Sequence, residues 1–285
     1  MQGQNVDRPE GPALPKGWKG TLGTSVSVML EGWADDSAPG IGPMGNPLKA
    51  GVLDLQARSW AAYGPEAGAW RLLEILEGFG LKAVFYTSGI VAQRYSALLQ
   101  AIAAAGHSVA AHGWSQNVIP AYQTPAEEES DLTRSMEAIQ TSTGRRACGF
   151  LSPRCTPSAA TAGILASHGF DWHADYFDTD LPRMISLPEG KLVAMPFTME
   201  VNDMPLYVRY GNEPEAFSRI FEQLVAGVRQ IPRPTSCLDI TVHAHVFGRP
   251  AGAAAFRETL EIARGHEDVV WLTNHAELAA ITAAG

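Results

Sequence analysis

Cysteine is scarce. The 285 residues include three, Cys148, Cys155 and Cys237, with no Cys-x-x-Cys spacing. An odd number in that pattern excludes a disulfide frame and a zinc knuckle, and fits reduced thiols. Charge is also sparse, at 18% Asp, Glu, Lys and Arg, and it leans acidic, with 21 basic against 30 acidic side chains and a net charge of −9. Without a basic block, nucleic acid and anionic membrane are poor partners. No apolar run reaches the roughly 18 residues needed to span a bilayer. Met1-Gln2-Gly3-Gln4 opens the chain without the basic and apolar stretches of a secretory signal, so the expected compartment is the cytoplasm. No repeat period and no Gly-x-Gly-x-x-Gly after a strand pattern occur, which disfavours a solenoid and a Rossmann dinucleotide site.

What is present is apolar: 46% hydrophobic residues, including seven Trp and ten Phe, enough for one large core and incompatible with a disordered chain. Residues 1–22, with Pro9, Pro12 and Pro15, read as an arm. Ser25–Glu31 reads as a first strand, followed by a long loop from Pro39 to Pro47 of the length that is usually functional. Helix and strand patterns then alternate. Leu72, Leu73, Leu76 and Phe79 form one stripe of a helix over Ala69–Glu77. Leu81–Thr87 reads as a strand, Tyr95–Ala105 as a helix and His107–Ala111 as a strand. Thr124-Pro125-Ala126-Glu127 is a capping box opening a helix that Gly144 ends. Further strands are expected at Cys148–Leu151, Phe170–Ala174, Leu192–Phe197, Leu238–His243 and Val269–Thr273. Intervening helices are expected at Ser158–Ser167, Pro214–Arg229 and Ala253–Arg264, with a last helix to about Ala283. About eight strands alternating with helices argue an α/β fold with a mainly parallel sheet. Two domains would suit the length, but an α/β barrel of this size is often one, so residues 23–285 are expected to form a single (β/α) barrel behind the arm.

Polar clusters follow the strands, where a barrel places its function. They are Glu31, Asp35 and Asp36; His112 to Gln116; Ser152 to Cys155; Asp175 to Asp180; and His243-Ala244-His245. Each has a plain structural reading beside the functional one. A strand-end His is often just a hydrogen-bonded residue. His243 and His245 share a strand face, but His-x-His alone is a weak metal signal. Carboxylates in the Asp175–Asp180 run also serve as helix caps. Arg154 suits recognition of a carboxylate or carbonyl. Cys155 near a helix start could be an activated thiol or a small half-buried residue.

The order of motifs resembles the polysaccharide-deacetylase superfamily, and within it the bacterial allantoinase and cyclic-imide-hydrolase branch. The resemblance runs over about residues 15–275. It rests on Val26–Leu30 with its acidic loop, Tyr63-Gly64 with Gly68–Leu73, Ala105-Gly106-His107 with His112-Gly113-Trp114, and Thr143-Gly144 with Gly149–Arg154. It continues through His168-Gly169-Phe170, Asp175-Tyr176, Asp180-Leu181-Pro182, Pro196-Phe197-Thr198, Asn202-Asp203-Met204, and His243 before Gly248-Arg249-Pro250. The resemblance implies a distorted, incomplete (β/α) barrel, hydrolysis of a non-peptide C–N amide bond, and a homo-oligomer.

Departures from the family pattern shape the expected site. Family deacetylases use an Asp base and hold a metal with a second Asp and two His. By register Trp33 falls at the base and Asp35 at the ligand Asp; His112 keeps the first His, and Gln116 replaces the second. Gln is a poor zinc ligand beside imidazole. No cofactor is therefore expected. A zinc ion would rest on Asp35 and His112, with Glu31 or His245 as substitutes. Without metal a carboxylate must activate water, and Glu31 and Asp35 are the candidates. His243 matches the family's general acid; Arg154 and His112 are candidates to hold the oxyanion or a carbonyl. Trp33 and Trp114 are expected to wall a small flat pocket, with Asp175, Asp180 and Asn202 as further substrate-binding residues. The expected activity is hydrolysis of a compact amide such as a ureide or imide by a homodimer or homotetramer. The alternatives are a metal-dependent N-deacetylase of an amino sugar or polysaccharide, and a non-catalytic binding protein on the same barrel.

Overall fold

A computed structural model describes residues 13–34, 48–49 and 51–285. The strands are β1 (Leu22–Leu30), β2 (Val84–Thr87), β3 (Ser108–Ala111), β4 (Gly149–Phe150), β5 (Trp172–Tyr176), β6 (Arg183–Leu187), β7 (Gly190–Pro196), β8 (Val201–Asn202), β9 (Ser236–His243) and β10 (Val270–Thr273). The helices are α1 (Leu55–Tyr63), α2 (Ala69–Gly78), α3 (Gly89–Arg94), α4 (Ser96–Ala104), α5 (Pro125–Thr143), α6 (Thr161–Ser167), α7 (Glu215–Gly227), α8 (Pro250–Gly265) and α9 (His275–Ala284).

The ten strands form one sheet in the order β6-β7-β5-β4-β3-β2-β1-β9-β8, with β10 also paired to β1. Every pairing is parallel except the β6–β7 hairpin. The sheet curls into an incomplete barrel, and helices pack outside it. All nine residues of β1 are buried, as a strand covered on both faces requires. The outer layer of the core joins Leu72, Leu76, Phe85, Leu99, Phe217, Phe221 and Phe256. The inner filling includes Met29, Tyr86, Trp172 and Met195.

The interior also carries a polar chain. Trp172 Nε1–H donates to Tyr86 Oη at 3.1 Å, which lies 2.6 Å from His275 Nδ1. His275 Nε2 sits 2.6 Å from Asp239 Oδ1, and Asp239 Oδ2 accepts from the Thr198 N–H at 3.1 Å. This chain fixes the start of α9 to the inside of the barrel.

The capping box opens α5 as expected, with Thr124 and Glu127 satisfying each other's backbone, and Gly144 ends the helix at φ 69°. Three features depart from the sequence reading. The long loop expected from Pro39 to Pro47 lies outside the described residues, and beyond it stands an unexpected helix, α1, which buries only Ala57 and so shows no apolar stripe. The segment expected as one helix from Tyr95 is preceded by the short α3. The strand expected at Leu192–Phe197 is the second half of a hairpin, because β6 is only half-buried and lacks a strong apolar signature. Of the expected arm, residues 1–12 lie outside the described residues, and Leu22 already belongs to β1.

Candidate active site

Parallel pairing brings the C-terminal ends of the strands to one mouth, and the polar side chains that matter here follow those ends. Glu31 comes directly after β1 and sits among three imidazoles. His112 Nε2 is 3.5 Å and His243 Nε2 3.9 Å from Glu31 Oε1; His245 Nδ1 is 3.8 Å from Oε2. The four side chains are nearly sealed from solvent, Glu31 at 9% exposure.

Each imidazole is oriented from behind. His112 Nδ1 lies 2.7 Å from the Leu151 carbonyl oxygen. An acceptor there places the proton on Nδ1 and turns Nε2 toward Glu31. His243 is held by Asp203, which follows β8. Nδ1–H donates to Asp203 Oδ1 at 2.6 Å, and Asp203 Oδ2 accepts from the His243 N–H at 2.8 Å and the Phe247 N–H at 3.3 Å. His245 is gripped through its backbone: Arg249 Nε–H donates to the His245 carbonyl at 3.2 Å. The Arg249 guanidinium stacks 3.9 Å from Trp60 and 4.0 Å from Tyr63. Close approach of two backbones seats this loop, because a Cβ on Gly68 or on Gly248 would collide with the Ala244 carbonyl oxygen.

The charges follow from this packing. Burial alone pushes the Glu31 carboxyl up, but His243 first, then His112 and His245, outweigh it and hold it at about 2. Burial pushes His243 down, yet the facing carboxylates of Asp203 and Glu31 leave it raised above its usual 6.5. Burial drives His245 down to about 4 in spite of Glu31, with His243 and Arg249 adding to the fall. The site therefore holds a carboxylate at Glu31, favours the charged form of His243 and favours the neutral form of His245.

The remaining expected site residues fall in several places. Asp35 lies outside the described residues, as does Asp36. Trp33 is buried beside the cluster, its ring edge-on to His245 with centroids 5.5 Å apart. Trp114 is turned into the helix layer, packed on Gly89 with the Arg134 guanidinium 3.4 Å from its ring centre. Asp175 is spent on structure: it accepts from the Ser152 N–H and Oγ, both at 2.8 Å, and from His173 Nε2 at 2.6 Å. Asn202 caps its own turn, its Oδ1 accepting from the Met204 N–H at 3.0 Å, and that turn aims Asp203. Asp180 is exposed, and its carbonyl accepts from the Cys237 N–H at 2.7 Å, near the start of β9 and away from His243. Arg154 is exposed in a strained turn, with φ 56° there and 54° at Cys155. Burial first, then Asp175 and Glu31, push the Cys155 thiol far up, so it is no activated nucleophile. The sequence reading did not single out Asp203. Its signal was the Asn-Asp-Met triplet itself, in which the neighbouring Asn drew the attention.

A metal centre can be tested against these donors. His112 has the backing of a metal-ligating imidazole. The next ligand position holds Gln116, whose Nε2 donates to Ser88 Oγ at 3.2 Å and to the His112 carbonyl at 3.3 Å, while its buried Oε1 has no partner. Among the described residues no three His, Cys, Asp or Glu side chains are gathered to hold a metal ion. With Gln116 in that position the described donors depart from the two-His set of the family pattern, and no step below passes through a metal.

Glu31 and Trp33 also line a cavity of about 290 Å³, with Arg58, Ile90, Val91 and Arg94 among its walls. A larger cavity, about 560 Å³, opens at the other end of the barrel around Ser108 and Trp172, remote from Glu31.

The family described as "Polysaccharide deacetylase" matches residues 62–173. Over those residues the chain is similar to the polysaccharide deacetylases. The matched segment includes His112 and ends before Glu31's other partners, His243 and His245. The chain is 24% identical to a peptidoglycan deacetylase of Helicobacter pylori over 74% of its length and 82% of that protein's. In structure it is similar to a putative polysaccharide deacetylase of Mycobacterium smegmatis, with TM-score 0.80 and 25% identity over 96% and 94% of the two chains. It is similar also to Puue allantoinase, with TM-score 0.82 and 24% identity over 98% and 95%. No described helix is long and apolar enough to cross a membrane.

Proposed function

We propose that the protein hydrolyses the C–N bond of a compact amide, such as a cyclic ureide or imide, without a resident metal. The observation that carries this is the charge-paired trio Glu31, His243 and Asp203 at the barrel mouth. Glu31, ionised, takes a proton from the attacking water. His243, protonated, gives its proton to the leaving nitrogen. Asp203 orients His243 and keeps it charged. As His243 loses its proton, the positive charge facing Glu31 disappears and the carboxylate becomes a better base, so the two transfers reinforce each other. His112, whose Nδ1–H is given to the Leu151 carbonyl, presents its other nitrogen beside the same Glu31 oxygen, where it is placed to accept from the attacking water. Gln116 in the second ligand position supports a reaction independent of zinc. The similarity to Puue allantoinase supports the small-amide class. Assembly as a homodimer or homotetramer in the cytoplasm belongs to the same proposal.

A second reading is N-deacetylation of an amino sugar or polysaccharide. The similarity to the Helicobacter peptidoglycan deacetylase and the putative Mycobacterium polysaccharide deacetylase favours it. A hydrolysis panel separates the two: allantoin, hydantoin, succinimide and dihydrouracil against chitooligosaccharides and aryl acetamides. Turnover of a ring amide with no acetate released from the oligosaccharides supports the first reading. Acetate release with no ring opening replaces it with the second.

A further inference from the structure

The end of the barrel opposite Glu31 holds the larger cavity, of about 560 Å³, which is within the size range of small-molecule sites. A barrel interior is normally filled by bulky side chains. Here α9 turns Ala276, Ala279, Ala280 and Ala283 to the gap, and four methyl groups leave it open. The helix cannot sink to fill it. Its first residue, His275, is held at 2.6 Å by both Tyr86 and Asp239 from inside the barrel. Trp172, on the cavity wall, is pinned in turn. Its Nε1–H is spent on Tyr86, and its ring lies against Gly149, where a Cβ would collide with it. The space is therefore preformed. Val109, Phe170, Trp172 and Val193 give it apolar walls, on which water finds few partners.

Charge sits at the same cavity. Its described lining includes Arg145, Arg146 and Lys191 against one carboxylate, Asp171, in a chain whose net charge is −9. Arg146 is spent on the carbonyls of His168 and Gly169, at 2.9 and 2.7 Å. Among the described residues the Arg145 guanidinium and the Lys191 ammonium have no hydrogen-bond or ion-pair partner. Two uncommitted cations beside an apolar space complement an anion with an apolar body.

We propose that this cavity binds an organic carboxylate with an apolar tail. The tail lies against the α9 alanines and Trp172, and the carboxylate is held by Arg145 and Lys191. The site is separate from the Glu31 cluster, and its occupancy does not depend on what that cluster hydrolyses.

Calorimetric titration of the full-length protein with octanoate, octanol and acetate tests it, the second lacking the charge and the third the tail. Octanoate is expected to bind, octanol to bind about tenfold more weakly, and acetate not to bind. Two double variants locate the site. Arg145→Gln with Lys191→Gln removes the cations at exposed positions, where the fold is not at stake, and is expected to weaken octanoate about tenfold. Ala276→Leu with Ala280→Leu puts larger side chains into the space and is expected to weaken octanoate and octanol alike. No octanoate binding to wild type at millimolar concentration overturns the proposal, as does octanol binding as tightly as octanoate. Octanoate affinity that either variant leaves unchanged also overturns it. If wild type binds no octanoate and the alanine variant alters the oligomeric state in light scattering, a second copy covers the cavity and the proposal fails.

Discussion

Glu31 and His243 each fix the other's charge across 3.9 Å, and single substitutions at either one report on the chemistry. Replacing His243 with Ala removes the proton donor and is expected to lower kcat about 10²–10⁴-fold. The loss should be smaller for substrates with good leaving groups, which need less protonation. Near wild-type kcat on a poor-leaving-group amide, from a variant with an unchanged melting temperature, would refute the acid role. Asp203→Asn removes the larger of the two carboxylate influences that raise His243. Turnover needs the imidazolium, so the alkaline limb of the kcat/KM profile is expected to move to lower pH in that variant. An unmoved limb would mean that some other group controls it.

The elements differ in how plainly the sequence announced them. Helix α5 was legible because its capping box and Gly144 are local signals that the backbone obeys directly. Helix α1 was not, since its small and aromatic residues follow no 3.6-residue stripe and its place is set by Arg249 stacking on Trp60 and Tyr63, a contact between distant segments. The site divides in the same way. Glu31, His112 and His243 stand at strand ends and were readable from position. The structural use of Asp175 was hidden, because it depends on β4 and β5 lying side by side. Asp175 ties the end of β5 to Ser152 beyond β4 through two hydrogen bonds and accepts a third from His173 of its own strand. Asp175→Ala leaves their donors unsatisfied and is expected to cost about 2–3 kcal/mol in denaturant unfolding. A change below about 0.5 kcal/mol would show that water replaces the carboxylate without loss.

At the scale of the whole molecule, stability should depend on pH in a definite direction. His245 and His107 are both pushed down to about 4 by burial. The unfolded chain therefore binds more protons than the folded one between the usual 6.5 and about 4, and stability is lost as pH falls through that window. Glu31 adds a further loss as pH falls from its usual 4.5 toward about 2. His243 acts oppositely: it stabilises below 6.5, and its contribution disappears as pH rises through its raised value. The melting temperature is expected to fall steadily from pH 6.5 to 4; a flat profile there would contradict the burial of neutral imidazoles. Light scattering is expected to show a dimer or tetramer, and a monomer at micromolar concentration would refute assembly. The central claim is amide hydrolysis by a carboxylate–imidazolium pair in place of a metal. Its most direct test is ring opening by protein stripped with chelator and checked by elemental analysis. The account expects full activity without metal, abolished in Glu31→Gln. Activity that vanishes on chelation and returns with zinc would contradict it.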